Sequence, residues 1–290
     1  MHIFKSASWI DSLLTDDCPG PDLTVEMLGI GPQSGAMRFS PREDGIISGV
    51  EEAEQLLTRC GLSVTRMADN GNVLQAGQVF LDARGRAAAL HKGWKAAQVL
   101  MEYMSGIARR CAFMLERARA VRPGVQVAVT RKTFPGAKAL CLEAALNGGA
   151  IIHRQNLSES VLLFAQHLLF FPGGENQSAL EALARQTRDL RARMPEKNIA
   201  IEVDCLDDAL LAAGAGLDII QCEKFSCQDL AATVGALKSA RPDILILAAG
   251  GINGDNAAEY AATGVDVLVT SWPYWGRPAD IQVVMEADAR

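Results

Sequence analysis

The stretch at residues 130–154, TRKTFPGAKALCLEAALNGGAIIHR, decides the fold that this sequence predicts. The apolar residues 125–129 before it have the composition of a strand, and the chain becomes polar and basic where that strand ends. The turn residues Pro135-Gly136 then precede a predicted helix at 137–146, and residues 150–152 begin a second strand. A strand, a basic loop, a helix and another strand form the repeating unit of a parallel α/β fold.

Cationic side chains follow both of these strands at the points where the strands end. Arg131 and Lys132 follow the first strand, and His153 and Arg154 follow the second. Because the carboxyl ends of parallel strands lie at one mouth of a barrel or one edge of a sheet, we expect the two clusters to converge. Guanidinium groups bind carboxylates and phosphates through two parallel hydrogen bonds. The sequence therefore predicts an anion site. A solvated basic loop is the alternative, and the second basic pair favours the site.

From residue 121 onward, apolar strands alternate with helices. Strands that are apolar along their whole length are buried on both faces, which is typical of a parallel sheet covered by helices. Seven such strands predict an incomplete α/β barrel. The predicted strands are Val125–Val129, Ala150–Ile152, Val161–Phe164, Ile199–Val203, Asp218–Cys222, Ile244–Ala248 and Val265–Thr270. The later helices are predicted at Ser178–Met194, Asp207–Ala213, Gln228–Ala240 and Asn253–Thr263.

The chain before residue 119 lacks this rhythm. Short strands and a helix at Val50–Cys60 precede a long helical pattern at about Ala88–Arg119, which carries an apolar stripe. A sheet with one long helix predicts an N-terminal α+β sandwich domain at 1–118. The barrel domain would then occupy 119–275, and we expect the segment 276–290 to pack back on the first domain.

The composition limits the functions that the chain can have. Its 290 residues are 49% hydrophobic, enough for a sizeable core, and the net charge of -6 does not indicate a nucleic-acid partner. Its seven cysteines show no disulfide framework and no zinc spacing, which is typical of thiols in a reducing compartment. No stretch has the character of a signal peptide or a membrane span. We therefore expect a cytoplasmic protein without a membrane partner.

The motif TRKT-x-PG at 130–136, followed by Gly148-Gly149 and His153-Arg154, resembles the quinolinate phosphoribosyltransferase (nicotinate-nucleotide pyrophosphorylase) family. Within that family the chain most resembles the ModD pyrophosphorylase-like branch, from Leu14 to about Ile281. The resemblance implies an incomplete seven-stranded barrel, phosphoribosyl pyrophosphate as the donor, Mg²⁺ as the cofactor and a homodimer with shared active sites. The branch is named for its association with molybdate-transport genes, which implies a link to molybdenum.

Two carboxylates stand where the resemblance implies a metal and a ribose. Glu202 lies within the apolar strand Ile199–Val203, where a carboxylate is costly without a partner, and Glu223 ends the next strand. Both are predicted to be catalytic, because they would hold Mg²⁺ or ribose hydroxyls and stabilise an oxocarbenium-like transition state. For Glu202 alone, an edge-facing or salt-bridged position is an equal alternative, and the presence of Glu223 favours the functional interpretation. The family usually has aspartate at the position of Glu223.

Glycines and hydroxyl groups at two further strand ends resemble the family's 5-phosphate pocket. Gly250 and Gly251 match its Ser-Gly-Gly-Ile loop, with Ala249 in place of the serine, and would let backbone N–H groups approach a phosphate at a helix start. A simple turn is the alternative. Thr270 and Ser271 would complete the pocket, where the family usually has glycine near Ser271.

The residues expected around the acceptor depart from the family pattern. Quinolinate-specific relatives carry a lysine at the position of Phe164 and, from the partner subunit, an arginine at the position of Lys95. An aromatic ring in place of an ammonium removes a partner for a carboxylate and adds a stacking wall. Arg131, His153 and Arg154 remain to orient an acceptor. We therefore expect an anionic aromatic acceptor and doubt that it is quinolinate.

These features together predict an enzyme that transfers ribose 5-phosphate from phosphoribosyl pyrophosphate to a ring nitrogen of an aromatic acceptor. Lys132 would neutralise the departing pyrophosphate. His167 is more typical of a core or loop histidine held by one hydrogen bond than of a site residue. One alternative is quinolinate phosphoribosyltransferase, which forms nicotinate mononucleotide. A second is a non-catalytic protein that binds molybdate or a related oxyanion. Acidic residues at the same mouth favour an enzyme over an oxyanion-binding protein.

Overall fold

The computed structural model describes residues 3, 5–171 and 177–289. Its first part combines short strands with helices and ends in a helix of 35 residues, close to the long helix that the sequence predicts. The elements are α1 (Ala7–Asp17), α2 (Leu23–Leu28), β1 (Ser34–Pro41), β2 (Gly45–Ile46), α3 (Val50–Arg59), β3 (Ser63–Arg66), β4 (Val73–Leu74), β5 (Leu81–Arg86) and α4 (Ala87–Val121).

The second part alternates strands with helices, as the sequence predicts. The elements are β6 (Gln126–Val129), α5 (Lys138–Asn147), β7 (Ile151–Ile152), β8 (Val161–Leu163), α6 (Ala165–Leu168), α7 (Gln177–Arg193), β9 (Ile199–Val203), α8 (Leu206–Gly214), β10 (Ile219–Glu223), α9 (Cys227–Ala240), β11 (Leu245–Ala249), α10 (Ala257–Ala262) and β12 (Val267–Thr270). A 3₁₀ turn at Trp272–Trp275 and the strand β13 (Ile281–Ala287) follow.

Seven of these strands form one parallel sheet in the order β7-β6-β12-β11-β10-β9-β8. Each neighbouring pair is parallel, and β7 and β8 are the unpaired edges. The central strands are apolar and buried along most of their length, as in β11, where four of the five residues are buried. A cluster of Ala128, Leu247, Ala249 and Val269 forms part of the core. The predicted incomplete barrel of seven parallel strands is confirmed.

Ion pairs hold the amino ends of the barrel strands. The Asp266 carboxylate accepts hydrogen bonds from Arg122 Nη2 at 3.0 Å and from Lys238 Nζ at 2.9 Å, and also from a backbone N–H of β11. Asp218 accepts from Arg191 Nη2 at 2.8 Å and from the first backbone N–H of β9. Each carboxylate therefore has both a cationic partner and a backbone donor.

A separate antiparallel sheet organises the first part of the chain. Its strand order is β13-β1-β5-β3, so the central strand β1 pairs with the C-terminal strand β13 from Gly35↔Ala287 to Pro41↔Ile281. Six of the eight residues of β1 are buried, including Met37 and Phe39. The amphipathic helix α3 buries its apolar face in the same region. This is the α+β architecture that the sequence predicts.

Contacts between Cα atoms divide the chain into two compact units. The first contains residues 1–112, 134–149 and 273–290, and the second contains 113–133 and 150–272. Helix α5 therefore groups with the first unit, although the sequence placed it within the barrel domain. The predicted domain boundaries stay predictions, because a division by contacts does not test which segments fold independently.

Two elements of the first unit differ from the sequence prediction. Helix α2 lies where the sequence indicated no helix, although Asp22 caps its first backbone N–H groups and Gly29 ends it in the left-handed region. These two signals were sufficient to find it. Strand β5 (Leu81–Arg86) lies mostly beyond the short apolar segment at 78–81 that indicates a strand in the sequence, because charged residues alternate along it and interrupt any apolar run.

Within the described residues, no helix is both long enough and apolar enough to cross a bilayer.

All seven cysteines are free thiols. Burial raises the pKa of Cys111 and of Cys222 to about 12, so both thiols stay protonated near neutral pH. Protonated thiols are poor nucleophiles and poor metal ligands, so these two residues belong to the core and not to a site.

Candidate active site

A cavity of about 580 Å³ lies at the carboxyl ends of the barrel strands, and all of its lining residues belong to the second compact unit. Lys132 and Glu202 line the same cavity, so the predicted convergence of the basic and acidic strand ends is present. The cavity contains every predicted site residue except Lys95, and their roles stay predictions. These residues are Arg131, Lys132, His153, Arg154, Phe164, Glu202, Glu223, Gly250, Gly251, Thr270 and Ser271.

Lys95 lies elsewhere, on helix α4 in the first compact unit. Its Nζ donates a hydrogen bond to Gln98 Oε1 at 2.8 Å and lies 4.0 Å from the centre of the Trp94 ring. It lines a different cavity of about 780 Å³, whose walls are mostly apolar and lie within that unit. The sequence expected Lys95 to act in the barrel of a partner subunit, and a single chain does not test that expectation.

The cationic wall of the active-site cavity centres on Arg154. Its side chain and backbone are buried, with 7% of the residue exposed, and its guanidinium has no ion pair or hydrogen bond to any described residue. Burial, followed by the charge of Arg131, lowers the pKa of Arg154. The Glu159 carboxylate opposes this shift without forming an ion pair with Arg154, so the guanidinium nitrogens at the cavity surface keep their hydrogen-bonding capacity for a ligand. This arrangement is typical of a site that binds an anion.

His153 precedes Arg154 and lines the same wall. Burial, followed by the positive charge of Arg154, lowers the pKa of the His153 imidazole below its ordinary value. The imidazole is therefore neutral at pH 7, with one nitrogen that donates and one that accepts a hydrogen bond. The strand geometry fixes the position of its backbone, because the His153 N–H donates to the carbonyl of Val129 in the neighbouring strand at 3.1 Å.

The acidic wall is formed by Glu202 and Glu223, at the ends of the adjacent strands β9 and β10. Burial raises the pKa of Glu202, and the charge of Glu223 adds to this effect. The Gln221 amide opposes it by donating a hydrogen bond to Glu202 Oε2 at 2.6 Å. Neither glutamate forms a salt bridge with a described residue, so the salt-bridged alternative for Glu202 does not hold. Two neighbouring carboxylates with unfilled oxygen positions fit the hard oxygen ligands that Mg²⁺ prefers.

Gly250 and Gly251 form a loop after β11. Both have positive φ values, and a Cβ at Gly250 would lie 2.5 Å from Lys224 Cγ and 2.9 Å from Glu223 Oε1. Gly250 is therefore required for the close approach of this loop to the end of β10. Lys224 itself has a φ of 58°, a conformation that costs a residue with a side chain about 1–2 kcal/mol. Such strain is common at functional sites.

The structure corrects one detail of the predicted phosphate pocket. Helix α10 begins at Ala257, not at Asn253, so Gly250 and Gly251 do not lead directly into a helix N-terminus. Residues 253–256 form a turn instead, because Asn253 Oδ1 accepts from the backbone N–H groups of Asp255 and Asn256. A phosphate at this loop would meet the amides of a glycine turn and not a helix dipole.

The Thr270 hydroxyl supports this loop from the neighbouring strand. It donates to the Ile252 carbonyl at 2.6 Å and accepts from the Trp272 N–H at 3.0 Å. Its proton is therefore committed within the protein, and Thr270 shapes the pocket through Ile252. Ser271 lines the cavity beside it.

The aromatic wall consists of Phe164 and the short helix α6 that follows it. The His167 Nδ1 accepts a hydrogen bond from the Phe164 N–H at 3.0 Å, and the two rings stack with their centres 5.6 Å apart. His167 is thus an exposed histidine of helix α6 that fixes Phe164 through one hydrogen bond, whereas the sequence predicted a histidine of the core or of a loop. Because Phe164 lines the cavity, it offers an aromatic face to a planar ligand.

The sequence interpretation did not identify Gln221, which lies between the two acidic strand ends. It is 4% exposed and pairs in register with Glu202 across the sheet. A signal was present, because an amide in an otherwise apolar strand, two residues before Glu223, faces the same side of the sheet as that carboxylate. Buried amides require partners, so Gln221 should have been considered together with the glutamates.

Comparison with known proteins identifies the family. Residues 107–284 match the family model described as quinolinate phosphoribosyl transferase, C-terminal domain, and residues 22–105 match the model of its N-terminal domain. This chain belongs to the quinolinate phosphoribosyl transferase family. It is therefore a phosphoribosyltransferase of the pentosyltransferase class.

Several known proteins are similar to this chain over both matched domains. A protein of Escherichia coli O127:H6 that carries the name pyrophosphorylase ModD is 37% identical over 287 residues, which cover 99% of each chain. The carboxylating nicotinate-nucleotide pyrophosphorylase of Homo sapiens is 31% identical over 264 residues, 90% of this chain and 85% of that one. The crystal structure of the nicotinate-nucleotide pyrophosphorylase from Ehrlichia chaffeensis has a TM-score of 0.86 at 19% identity, covering 98% of this chain and 99% of that chain, which shows the same fold. The resemblance read from the motifs, including the ModD branch, is confirmed.

Proposed function

We propose that this phosphoribosyltransferase transfers ribose 5-phosphate from phosphoribosyl pyrophosphate to a ring nitrogen of an anionic aromatic acceptor. The observation that carries the proposal is the Arg154 guanidinium, which forms no ion pair or hydrogen bond with a described residue and lies in the same cavity as Glu202 and Glu223. A cavity with cations at one wall and carboxylates at another suits a substrate that releases an anion and develops positive charge on its sugar.

The reaction exchanges one bond for another at the ribose anomeric carbon. The bond from that carbon to the pyrophosphate oxygen breaks, and the electron pair leaves with pyrophosphate. The lone pair of the acceptor's ring nitrogen forms the new bond to the same carbon. A pyridine-type nitrogen carries no proton, so no general base is required. The rate enhancement would come from positioning and from electrostatic stabilisation.

The cations have two assigned tasks in this mechanism. Lys132 neutralises the charge that builds up on the leaving pyrophosphate. Arg131, His153 and Arg154 bind the anionic group of the acceptor and orient its ring, and Phe164 stacks against that ring. Because the wall beside Phe164 is aromatic and not cationic, the acceptor would carry fewer negative charges than a dicarboxylate.

The carboxylates act on the sugar. Glu202 and Glu223 would hold Mg²⁺, which supplies charge neutralisation for the donor's diphosphate when bound. We place the ribose beside these two carboxylates, whose negative charges would stabilise the positive charge that the ribose develops in the transition state. The loop at Gly250 and Gly251 provides the 5-phosphate with backbone donors at a close approach.

The direct test is release of pyrophosphate from phosphoribosyl pyrophosphate with a panel of pyridine, pyrimidine and azole carboxylates, with and without Mg²⁺. We expect turnover that depends on Mg²⁺ with at least one monocarboxylate. Turnover with quinolinate, together with release of CO₂, would instead favour quinolinate phosphoribosyltransferase, which is the activity in the names of several relatives.

No turnover with any acceptor, combined with tight binding of molybdate in a calorimetric titration, would favour the oxyanion-binding alternative. The link to molybdenum rests on the name of the ModD relatives, so the same titration is its first test. Binding of phosphoribosyl pyrophosphate without binding of molybdate would support the enzyme and remove that link from the cavity.

A homodimer with shared sites is the second part of the proposal, with Lys95 of one copy acting in the barrel of the other. Family membership supports it, and so does the apolar cavity beside Lys95, whose rim residues Phe134 and Trp275 are 70% and 63% exposed. Complementation tests it. Lys95→Ala and Lys132→Ala variants are each expected to retain little activity, and their mixture, after subunit exchange, should recover about a quarter of the wild-type activity if sites combine residues of two chains. A monomer in sedimentation, or no recovery on mixing, would contradict shared sites.

A further inference from the structure

Lys224 lies at the rim of the active-site cavity, where strand β10 ends. It directly follows Glu223, and its exposed side chain packs against the loop after β11, because a Cβ on Gly250 would lie 2.5 Å from Lys224 Cγ. Its two neighbours, Glu223 and Gly250, both line the cavity. The Lys224 ammonium forms no hydrogen bond or ion pair with a described residue. It is therefore a cation that a ligand at the mouth of the cavity can reach.

The backbone of Lys224 has an unusual conformation at this rim. Its φ of 58° lies in the left-handed region, and among the described residues no other side-chain-bearing residue has a positive φ. Its N–H donates to the Ala249 carbonyl at 2.8 Å, which joins this turn to the end of β11. Asparagine and glycine adopt the left-handed conformation at a lower cost than lysine does. A lysine at such a position indicates that its ammonium has a role.

The loop after β11, which we assign to the 5-phosphate, carries no positive charge of its own. The cavity lining at residues 249–253 and 269–272 is uncharged, and helix α10 begins only at Ala257. A negative charge lies close to the loop, because Glu223 Oε1 would lie 2.9 Å from a Cβ on Gly250. A phosphate monoester carries about 1.5 to 2 negative charges at pH 7. A phosphate beside this carboxylate therefore requires a cation nearby.

The strand order places Lys224 next to this loop. Strand β10 is the direct neighbour of β11, whereas β12 separates β11 from β6, the strand before Arg131 and Lys132. Neighbouring strands are about 4.8 Å apart, so the end of β6 lies roughly 10 Å from the end of β11. The charge of Lys224 also acts inside the cavity. Burial raises the pKa of Glu202, and the charges of Lys132 and Lys224 oppose that effect.

We propose that the Lys224 ammonium binds the 5-phosphate of the donor at the glycine loop and supplies the positive charge that this loop lacks. This inference rests on the proposed function, because it assumes that phosphoribosyl pyrophosphate binds with its 5-phosphate at Gly250 and Gly251. The ammonium donates hydrogen bonds to the phosphate oxygens from the rim and offsets their repulsion by Glu223. Lys132 stays the cation for the pyrophosphate group, so the two lysines serve the two ends of the donor.

The experiment compares the wild-type chain with Lys224→Asn in titration calorimetry with Mg²⁺ present throughout. The ligands are ribose 5-phosphate, phosphoribosyl pyrophosphate and inorganic pyrophosphate. We expect the substitution to weaken binding of the first two by about ten-fold, the effect of one charge-assisted hydrogen bond at an exposed position. Affinity for pyrophosphate should change by about two-fold or less. A variant that loses affinity for pyrophosphate and keeps that for ribose 5-phosphate would overturn the proposal, because Lys224 would then serve the leaving group.

Thermal unfolding separates this role from a structural one. Asparagine suits the left-handed backbone better than lysine, so Lys224→Asn without ligand should have a Tm equal to that of the wild-type chain or up to about 3 °C higher. A lower Tm, combined with weaker binding of all three ligands, would mean that Lys224 supports the fold, and would overturn the proposal. Lys224→Gly provides a second variant with the same expected affinities.

Lys224→Arg tests whether the charge carries the effect. It keeps a cation with hydrogen-bond donors at the same position, so its affinity for ribose 5-phosphate should stay within about three-fold of the wild-type value. A loss as large as that in Lys224→Asn would contradict binding through the positive charge.

Lys197→Asn is the matched control. Lys197 is an exposed lysine just before β9, at the opposite end of the strands from the cavity, and its substitution changes the net charge by the same amount. All three affinities should keep their wild-type values in this variant. If Lys197→Asn weakened binding of ribose 5-phosphate as much as Lys224→Asn does, the effect would come from net charge, and the specific role of Lys224 would be wrong.

Failure of this inference and failure of the proposed function give different results. A wild-type chain that binds neither ribose 5-phosphate nor phosphoribosyl pyrophosphate would overturn both. A wild-type chain that binds both ligands, alongside a Lys224→Asn variant with unchanged affinities, would overturn the role of Lys224 alone.

Discussion

The two ends of the barrel strands treat charge in opposite ways. At the amino ends, Asp266 and Asp218 each accept hydrogen bonds from a cationic side chain and from a backbone N–H. At the carboxyl ends, Arg154, Glu202 and Glu223 line one cavity, and none of them has an ion pair within the described chain. Paired charges stabilise the connections between strands, whereas unpaired charges in a cavity weaken the folded state until a ligand binds.

Charged residues that lack an ion-pair partner within the described chain are the better candidates for a functional role. Asp218 and Glu202 both lie in predicted strands that are otherwise mostly apolar, Asp218 at the start of its strand and Glu202 near the end. The structure separates them by their partners, because Arg191 neutralises Asp218 and only a neutral amide contacts Glu202. Partner identity, more than burial or sequence position, distinguishes a structural charge from a candidate catalytic one.

Lysines at the two ends give the largest expected contrast. Lys132→Ala should lower kcat/KM for phosphoribosyl pyrophosphate by about 10²–10³-fold, since loss of one group that stabilises transition-state charge has effects of this size. Steady-state assays of pyrophosphate release measure it. Lys238→Ala removes a partner of Asp266 at the other end and should leave kcat/KM unchanged while lowering the urea midpoint of unfolding. Intact turnover in Lys132→Ala would refute the role of that lysine.

Much of this contrast was visible in the sequence. Apolar strands that end in basic or acidic residues predicted both the parallel sheet and the mouth where Arg131, His153 and Glu202 meet, because parallel strands necessarily bring their carboxyl ends together. Local pattern and chain direction were enough for that inference. The order of the strands in the sheet, and therefore which side chains are neighbours, was not accessible from pattern alone.

The features that the sequence did not reveal depend on contacts between distant segments. The hydrogen bond between the Gln221 amide and Glu202 depends on the register of β10 with β9, although the amide itself stands out in an apolar strand. The late start of α10 depends on side-chain hydrogen bonds of Asn253 that compete with the helix. The left-handed backbone of Lys224 follows from the close approach of Gly250. The spacing of apolar residues along the sequence indicates none of these three features.

Arginines provide the second test. Arg154→Met should weaken binding of pyrophosphate or of a carboxylate acceptor by about 30–100-fold, because a charge-assisted hydrogen bond is lost. Without ligand, the variant should be about as stable as the wild-type protein, since Arg154 has no hydrogen bond or ion pair to a described residue that the substitution would remove. Calorimetric titration and thermal unfolding measure the two effects.

Arg122→Met is the control at the amino ends of the strands, where the arginine is paired with Asp266. It should show the reverse, with normal pyrophosphate affinity and a lower Tm. A drop in Tm for Arg154→Met without ligand would mean that Arg154 has a structural partner.

Carboxylates provide the third and smaller test, on the free energy of unfolding. Asp266→Asn should destabilise the protein by about 2 kcal/mol, because Arg122 and Lys238 then lose their shared counterion in a half-buried site. Urea unfolding followed by circular dichroism measures it. Glu202→Gln at the cavity should not lower the free energy of unfolding, since the substitution removes an unpaired charge from a partly buried position. Equal losses from both substitutions would remove the distinction between the two ends.

The smallest expected effect is the pH dependence that His153 confers on stability. Burial and the charge of Arg154 lower the pKa of His153 in the folded chain, whereas the unfolded chain keeps the ordinary value of about 6.5. Below about pH 6.5 the unfolded chain therefore binds a proton at His153 more readily than the folded chain does. The contribution of the neutral imidazole to stability is complete above about pH 6.5 and declines as the pH falls toward the pKa of the folded state. Urea midpoints measured between pH 7.5 and 5.5 should therefore fall more steeply in the wild-type protein than in His153→Gln. Identical slopes in the wild-type and His153→Gln proteins would mean that the cavity does not hold His153 in its neutral form.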